Sequence, residues 1–268
     1  MSGLENVSED VLEEDDPFAF DLALENHDVD SELRRVSSSY GLEKGDLKTV
    51  RTSGDYVLSS CIDCWSVVAN KDLSMKNQRD VIILTMPTSS DIYNPFGTGI
   101  EEPPDLQGLA QKWKPWRTEF LKYLLMPVNL QNKHWCLLIV DLEQKKVTCW
   151  DSLSTFNKGK IVNSKKGRDN LYRFLQYWAN DKEDTWKGNI DLENVPQQTI
   201  TDCGIFCIEF MRAFIKGHRT VNSLYGQVSQ KTMLAAREHI AREIKEKKII
   251  EEGKGMRERK KSRRADDN

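Results

Sequence analysis

The chain has 268 residues, 38% hydrophobic and 30% charged, with a formal net charge of −3. That length supports one sizeable domain burying about three-quarters of its unfolded surface. No run approaches the ~18 consecutive apolar residues of a membrane span, and no signal peptide is recognisable at the start. Six scattered cysteines are too few for a disulfide framework, so reduced thiols in the cytoplasm or nucleus are expected. Secreted mini-proteins, membrane proteins and collagens are excluded.

In chain order, residues 1–40 carry twelve Asp/Glu against two Arg, a local net of −10 that leaves +7 for the rest. The run Glu13-Glu14-Asp15-Asp16 repels itself, so residues 1–44 are expected to be a disordered acidic arm, interrupted by one apolar patch, Pro17–Leu24. Val57, Cys61, Cys64, Trp65 and Val68 recur at helical spacing and predict a helix with a buried face. Val81–Met86 predicts a short strand, residues 87–112 a long Pro/Gly/Asn-rich loop, and Leu124–Val128 a second strand. Trp135–Leu142, a polar turn at Glu143–Lys146 and Val147–Trp150 make the clearest hairpin. Leu171, Phe174, Leu175 and Trp178 predict a helix over 169–179, and Asn189–Val195 alternates as a strand. A buried helix is expected over Cys203–Phe214, then a charged one from about Ser229 to Lys248. The class is α+β, a central hairpin-rich mixed sheet flanked by helices. The catalytic unit is expected at 45–248, before a disordered basic tail at 249–268.

In that tail six of the eight residues Arg257–Arg264 are basic, a pattern fitting a nuclear-localisation signal or a solvated helix end. Without interleaved aromatics it offers no base-stacking platform, which argues against specific nucleic-acid recognition.

The chemistry gathers at element edges. His134 opens the first hairpin strand and Asp151 follows the second. Counting back from the turn puts both on one side of the sheet within hydrogen-bond reach, the relation of a base to the carboxylate that orients it. Cys203 opens an apolar helix, where the positive end of the macrodipole favours a thiolate. Gly204 removes side-chain bulk where a substrate carbonyl must approach. A glutamine upstream can donate to a developing oxyanion. Each of these residues taken alone has a plainer role in a core, turn or loop; their joint pattern points to nucleophilic catalysis. Cys61-x-x-Cys64 lacks a second Cys/His pair and belongs to the apolar face, so no metal site is expected. Cys136, Cys149 and Cys207 are expected in the core. No Gly-rich phosphate loop occurs, and no cofactor is called for.

Taken together, His134-Trp135, Asp151-Ser152-Leu153, Pro196-Gln197-Gln198 and Asp202-Cys203-Gly204 resemble the ubiquitin-like-protein-specific cysteine proteases, the adenain-like superfamily of SUMO and NEDD8 proteases. Pro127-Val128-Asn129-Leu130 also matches, and the likeness covers roughly residues 45–245. It implies a papain-like α+β fold and cleavage after the C-terminal diglycine of a ubiquitin-like modifier, SUMO first, with NEDD8 or ubiquitin as alternatives. By this resemblance Cys203 is the nucleophile, His134 the general base and acid, and Asp151 its orienter. Gln197 is the oxyanion donor six residues before the cysteine, with Gln198 as the fallback. Trp135 corresponds to the tryptophan that roofs the diglycine. The family's other channel wall is a tryptophan, and Tyr56 stands in that register here.

Two other readings share these residues: an acetyltransferase on the same Cys-His-Asp scaffold, and a decayed protease that binds a modifier without cutting it. A nucleic-acid-binding protein would rest on the basic tail alone. Nothing in the sequence sets an oligomeric state.

Overall fold

The structure is a computed structural model that describes residues 44–53, 55–85, 89, 92–93, 105–114, 118–130, 133–153, 162–180, 185–198 and 201–246. The acidic stretch of residues 1–40 and the basic run Arg257–Arg264 lie outside the described residues.

Five strands cross one mixed sheet in chain order: β1 (Val81–Ile83), β2 (Tyr123–Leu130), β3 (His134–Asp141), β4 (Lys146–Trp150) and β5 (Asp191–Glu193). The three central strands are antiparallel, and β1 and β5 flank them in parallel. The β3–β4 turn is closed by Asp141, whose Oδ1 accepts from the backbone N–H groups of Glu143 and Gln144, an Asx turn. Lys145 takes the left-handed conformation there, at φ 51°.

Both faces of the sheet are covered. Trp135, Leu137 and Ile139 of β3 point to one core, and Cys136, Leu138 and Val140 to the other. This is why the strand reads as a continuous apolar run instead of alternating. Against the first face pack α2 (Ser59–Met75), α5 (Cys203–Ile215) and helix 233–246, named α7. Against the second pack α3 (Leu106–Trp113) and α4 (Lys165–Ala179). Two short helices also lie among the described residues: α1 (Lys44–Arg51) before α2, and α6 (Val221–Leu224) after α5.

Helix α5 is apolar nearly all round because it is buried nearly all round. Its only charged residues, Glu209 and Arg212, pair with each other at 3.0 Å. Arg212 also forks onto Glu243 of α7 at 2.7 and 2.8 Å, and Trp65 of α2 donates its indole N–H to the same carboxylate at 3.0 Å. One carboxylate thus ties three helices together.

The structure corrects several boundaries. Within the stretch expected to be loop, Leu106–Trp113 is a helix, capped by Asp105, whose side chain accepts from Gly108 N–H at 2.8 Å. The strand expected over Asn189–Val195 keeps only Asp191–Glu193. Asn163 explains its start, because its amide takes both the N–H and the carbonyl of Ile190 and removes them from the ladder. The strand expected over Val81–Met86 keeps Val81–Ile83, while β2 is longer than expected at both ends. The charged C-terminal helix begins at residue 233 after a 3-10 turn at Gln230–Thr232.

All six cysteines are buried free thiols. Burial pushes the Cys61 thiol up to about 12, and it also raises Cys207 well above the ordinary range. Cys136 is raised well above it too, first by its hydrogen bond with Cys149 and then by burial. These three stay protonated and serve as packing.

Candidate active site

β3 and β4 pair Leu138 with Cys149 and Leu137 with Trp150. Continuing that register sets Asp151 opposite Cys136, with His134 diagonal to it on the same face, inside side-chain reach. The imidazole Nε2 meets Asp151 Oδ1 at 2.6 Å, and both side chains are buried, 7% and 2% exposed. Asp151 is itself held, because the same Oδ1 accepts from Leu153 N–H at 2.7 Å. Behind it, Trp150 donates to Glu193 Oε2 at 2.7 Å and lies edge-on to Phe210 and Phe214 of α5.

Cys203 is the first residue of α5 and is 3% exposed. Its side chain is hydrogen-bonded to His134. With Nε2 engaged by Asp151, the nitrogen facing the sulfur is Nδ1. Burial favours the neutral ring, but the hydrogen bonds to Asp151 and Cys203 and the charge of Asp151 outweigh it, raising His134 to about 10. At neutral pH the ring therefore holds both protons, with one N–H on the carboxylate and one toward the sulfur. The doubly protonated imidazole thus faces the sulfur at the start of α5.

The two glutamines come after β5 in the chain and bond to Asp151 and Ser152, the residues just past the end of β4. Gln197 Nε2 donates to the carbonyls of Val195 and Asp151, at 2.8 and 3.0 Å, which uses both of its amide hydrogens. Gln198 bonds twice to Ser152: its backbone N–H donates to the Ser152 carbonyl at 2.8 Å, and its Oε1 accepts from the Ser152 hydroxyl at 3.1 Å. Among the described residues none accepts from the side-chain N–H groups of Gln198. The sequence does not reveal this difference between neighbours; it comes from the partners each amide meets.

Trp135 and Tyr56 have different surroundings. Trp135 is 4% exposed in the first core, while Tyr56 is 60% exposed just before α2. Both lie in or beside segments touching Gly204: a Cβ added there would sit 2.7 Å from Val57 Cβ and 3.4 Å from Trp135 Cδ1. The room that Gly204 leaves is thus filled by Val57, whereas the sequence reading assigns it to a substrate carbonyl. Gly204→Ala gains helix propensity of up to about 1 kcal/mol but overpacks a rigid contact at about 1–3 kcal/mol. The overpacking is expected to win, lowering Tm by about 2–4 °C for each 1 kcal/mol of net loss. Thermal unfolding checks this: a Tm at or above that of the wild type would mean that Val57 gives way.

Asp202, the N-cap of α5, is an acidic side chain that makes no capping bond to its own helix. Its carboxylate turns instead to Arg237 of α7 and to Gln230. Neither partner is legible in the sequence as part of this site.

Residues 76–249 match the Ulp1 protease family, C-terminal catalytic domain. Among protein relatives, sentrin-specific protease 3 of Mus musculus is 24% identical over 146 residues, 53% of this chain and 24% of the relative. A sentrin-specific protease of Caenorhabditis elegans is 28% identical over 134 residues, 47% of this chain and 17% of the relative. The match thus spans a quarter or less of the length of these relatives. Among solved structures, the SUMO protease Ulp1 with its catalytic cysteine oxidised to a sulfonic acid aligns with a TM-score of 0.52 at 19% identity, covering 82% of this chain and 94% of that one. The C-terminal Ulp1 protease domain in complex with Smt3, the yeast orthologue of SUMO, aligns with a TM-score of 0.51 at 20% identity, covering 80% and 93%. At such identities the structural likeness establishes the fold.

Proposed function

The chain belongs to the Ulp1 protease family, and on that footing we propose that it is a cysteine peptidase cleaving after the C-terminal Gly-Gly of a ubiquitin-like modifier. SUMO is the favoured modifier. The observation that carries the reading is the buried His134–Asp151 pair at 2.6 Å, with the other ring nitrogen turned to Cys203 at the start of α5.

In the proposed cycle the Cys203 sulfur attacks the carbonyl carbon of the terminal glycine, and the carbonyl electrons move onto oxygen. The backbone N–H of Cys203 and one glutamine side chain bind that oxyanion. Of the two glutamines, Gln198 is the better candidate, because among the described residues nothing accepts its amide hydrogens, while those of Gln197 are held by two carbonyls. His134 then passes its Nδ1 proton to the leaving amine, and a thioester remains. Water, deprotonated by His134, attacks the thioester and returns the sulfur. Trp135 and Tyr56 are proposed as the two aromatic walls of a channel that admits only residues without side chains. The catalytic unit is assigned to residues 45–248, and a nuclear or cytoplasmic setting goes with this reading. Among the described residues no helix is long and apolar enough to cross a membrane.

The test incubates the protein and its Cys203→Ala variant with SUMO, NEDD8 and ubiquitin, each carrying a C-terminal electrophile. A covalent adduct that needs Cys203 supports the reading and identifies the modifier. No adduct with any of the three, in a folded sample, would move the assignment to acetyl transfer or another acyl substrate.

A further inference from the structure

Arg237 is 1% exposed, and each of its five guanidinium N–H groups has an acceptor. Nε donates to Asp202 Oδ1 at 2.9 Å and one Nη2 hydrogen to the same atom at 2.5 Å. The other Nη2 hydrogen goes to the Asp55 carbonyl at 3.0 Å, and Nη1 reaches the carbonyls of Thr49 and Val50 at 3.1 and 2.8 Å. Those last two carbonyls belong to the final turn of α1, which has no further turn to bond them. Gln230 occupies Asp202 Oδ2 at 2.5 Å.

Aspartate at an N-cap ordinarily turns its carboxylate back onto the N–H groups of the first turn. Asp202 does not, and the first helical N–H groups, those of Cys203, Gly204 and Ile205, receive no side-chain cap. A carboxylate capping them would occupy the donors that an oxyanion needs and set a negative charge beside the sulfur.

We propose that Arg237 is a positioning residue that holds the Asp202 carboxylate off the start of α5, keeping those N–H groups open to the sulfur and the oxyanion. The inference rests on the peptidase reading of Cys203. It deepens that reading by giving a residue 34 positions downstream a part in the same step.

The deciding comparison uses two double variants of the full chain, Asp202→Ala/Arg237→Met and Asp202→Asn/Arg237→Met. Each removes both buried charges at once, which spares the fold the stranded ion a single replacement leaves. Asparagine can cap the helix and alanine cannot. After circular dichroism and a cooperative melt establish folding, kcat and KM are measured on whichever C-terminal aminocoumarin modifier the wild type cleaves best. The alanine pair is expected within about threefold of wild-type kcat, and the asparagine pair about tenfold below it at an unchanged KM. A purely structural role for Arg237 predicts no difference between the pairs, so equal kcat values would overturn the proposal. A wild type inactive on every modifier would sink the peptidase reading instead. The rate of Cys203 alkylation by iodoacetamide, which needs no substrate, then decides: a slower asparagine pair supports the proposal and equal rates overturn it.

Discussion

Replacing His134 with alanine is expected to lower kcat/KM by about 10⁴–10⁶-fold, the range seen when one member of such a triad is removed. The ring is joined both to Asp151 and to Cys203, so its removal takes away the imidazolium facing the sulfur and the proton donor for the leaving amine. Asp151→Asn should separate these roles. His134 is raised to about 10 against burial, by the hydrogen bonds to Asp151 and Cys203 and the Asp151 charge. With the carboxylate replaced by a neutral amide, the ring loses its proton at lower pH, so the alkaline limb of kcat/KM should move down from about 10. Rate profiles between about pH 5 and pH 10.5 read this shift. An unmoved alkaline limb would mean that His134 does not set it. Stability carries the same sign. A group raised on folding contributes fully below its unfolded value of about 6.5. That contribution is lost as pH rises through about 10. Wild-type Tm should therefore fall on the alkaline side, and less steeply in Asp151→Asn.

Gln198→Ala is expected to cost about 10²–10³-fold in kcat with little change in KM, the signature of a donor used chiefly in the transition state. Gln197→Ala should act differently. Its amide braces the carbonyl of Asp151 and that of Val195, so its loss loosens the end of β4 and should appear in Tm as well as in kcat. Measuring both parameters on both variants assigns the oxyanion donor. A large kcat loss at wild-type Tm in Gln197→Ala, with Gln198→Ala near wild type, would reverse the assignment.

How much of this was readable in advance depends on how far each signal reaches. The β3–β4 hairpin and its His134–Asp151 pair are legible because a short polar turn fixes the register, and the register fixes which side chains meet. The helix at Cys203 is legible from its unbroken apolar face. Helix α3 is hidden because it has only eight residues and follows a Pro- and Gly-rich stretch whose composition dominates any window containing it. Helix α1, with the sequence KGDLKTVR, offers only Leu47 and Val50 as apolar positions, too few to establish a period. Arg237 is the least visible of all. It sits in a charged helix among other basic residues, and nothing local separates a guanidinium buried against Asp202 from one pointing into solvent. The difference between Gln197 and Gln198 escapes for the opposite reason: the residues are chemically identical, and only the direction of each side chain separates them.

The reach of Arg237 has a consequence for the timing of synthesis. Its guanidinium joins carbonyls 182 to 188 residues upstream in the chain. At about 5–20 residues per second, a ribosome making this chain needs about 10–40 s between Asp55 and Arg237. During that interval β2, β3 and β4 can pair through their short connections. The last turn of α1 waits through that interval for a partner not yet made, and the Asp202 carboxylate, 35 residues upstream of Arg237, waits for about 2–7 s of it. Until Gln230 and α7 arrive, neither holds that carboxylate away from the neighbouring N–H groups, so a nascent chain would carry its nucleophile in a capped, idle form. Docking of the late helix would then bring order to the amino-terminal segment and readiness to the sulfur in a single event.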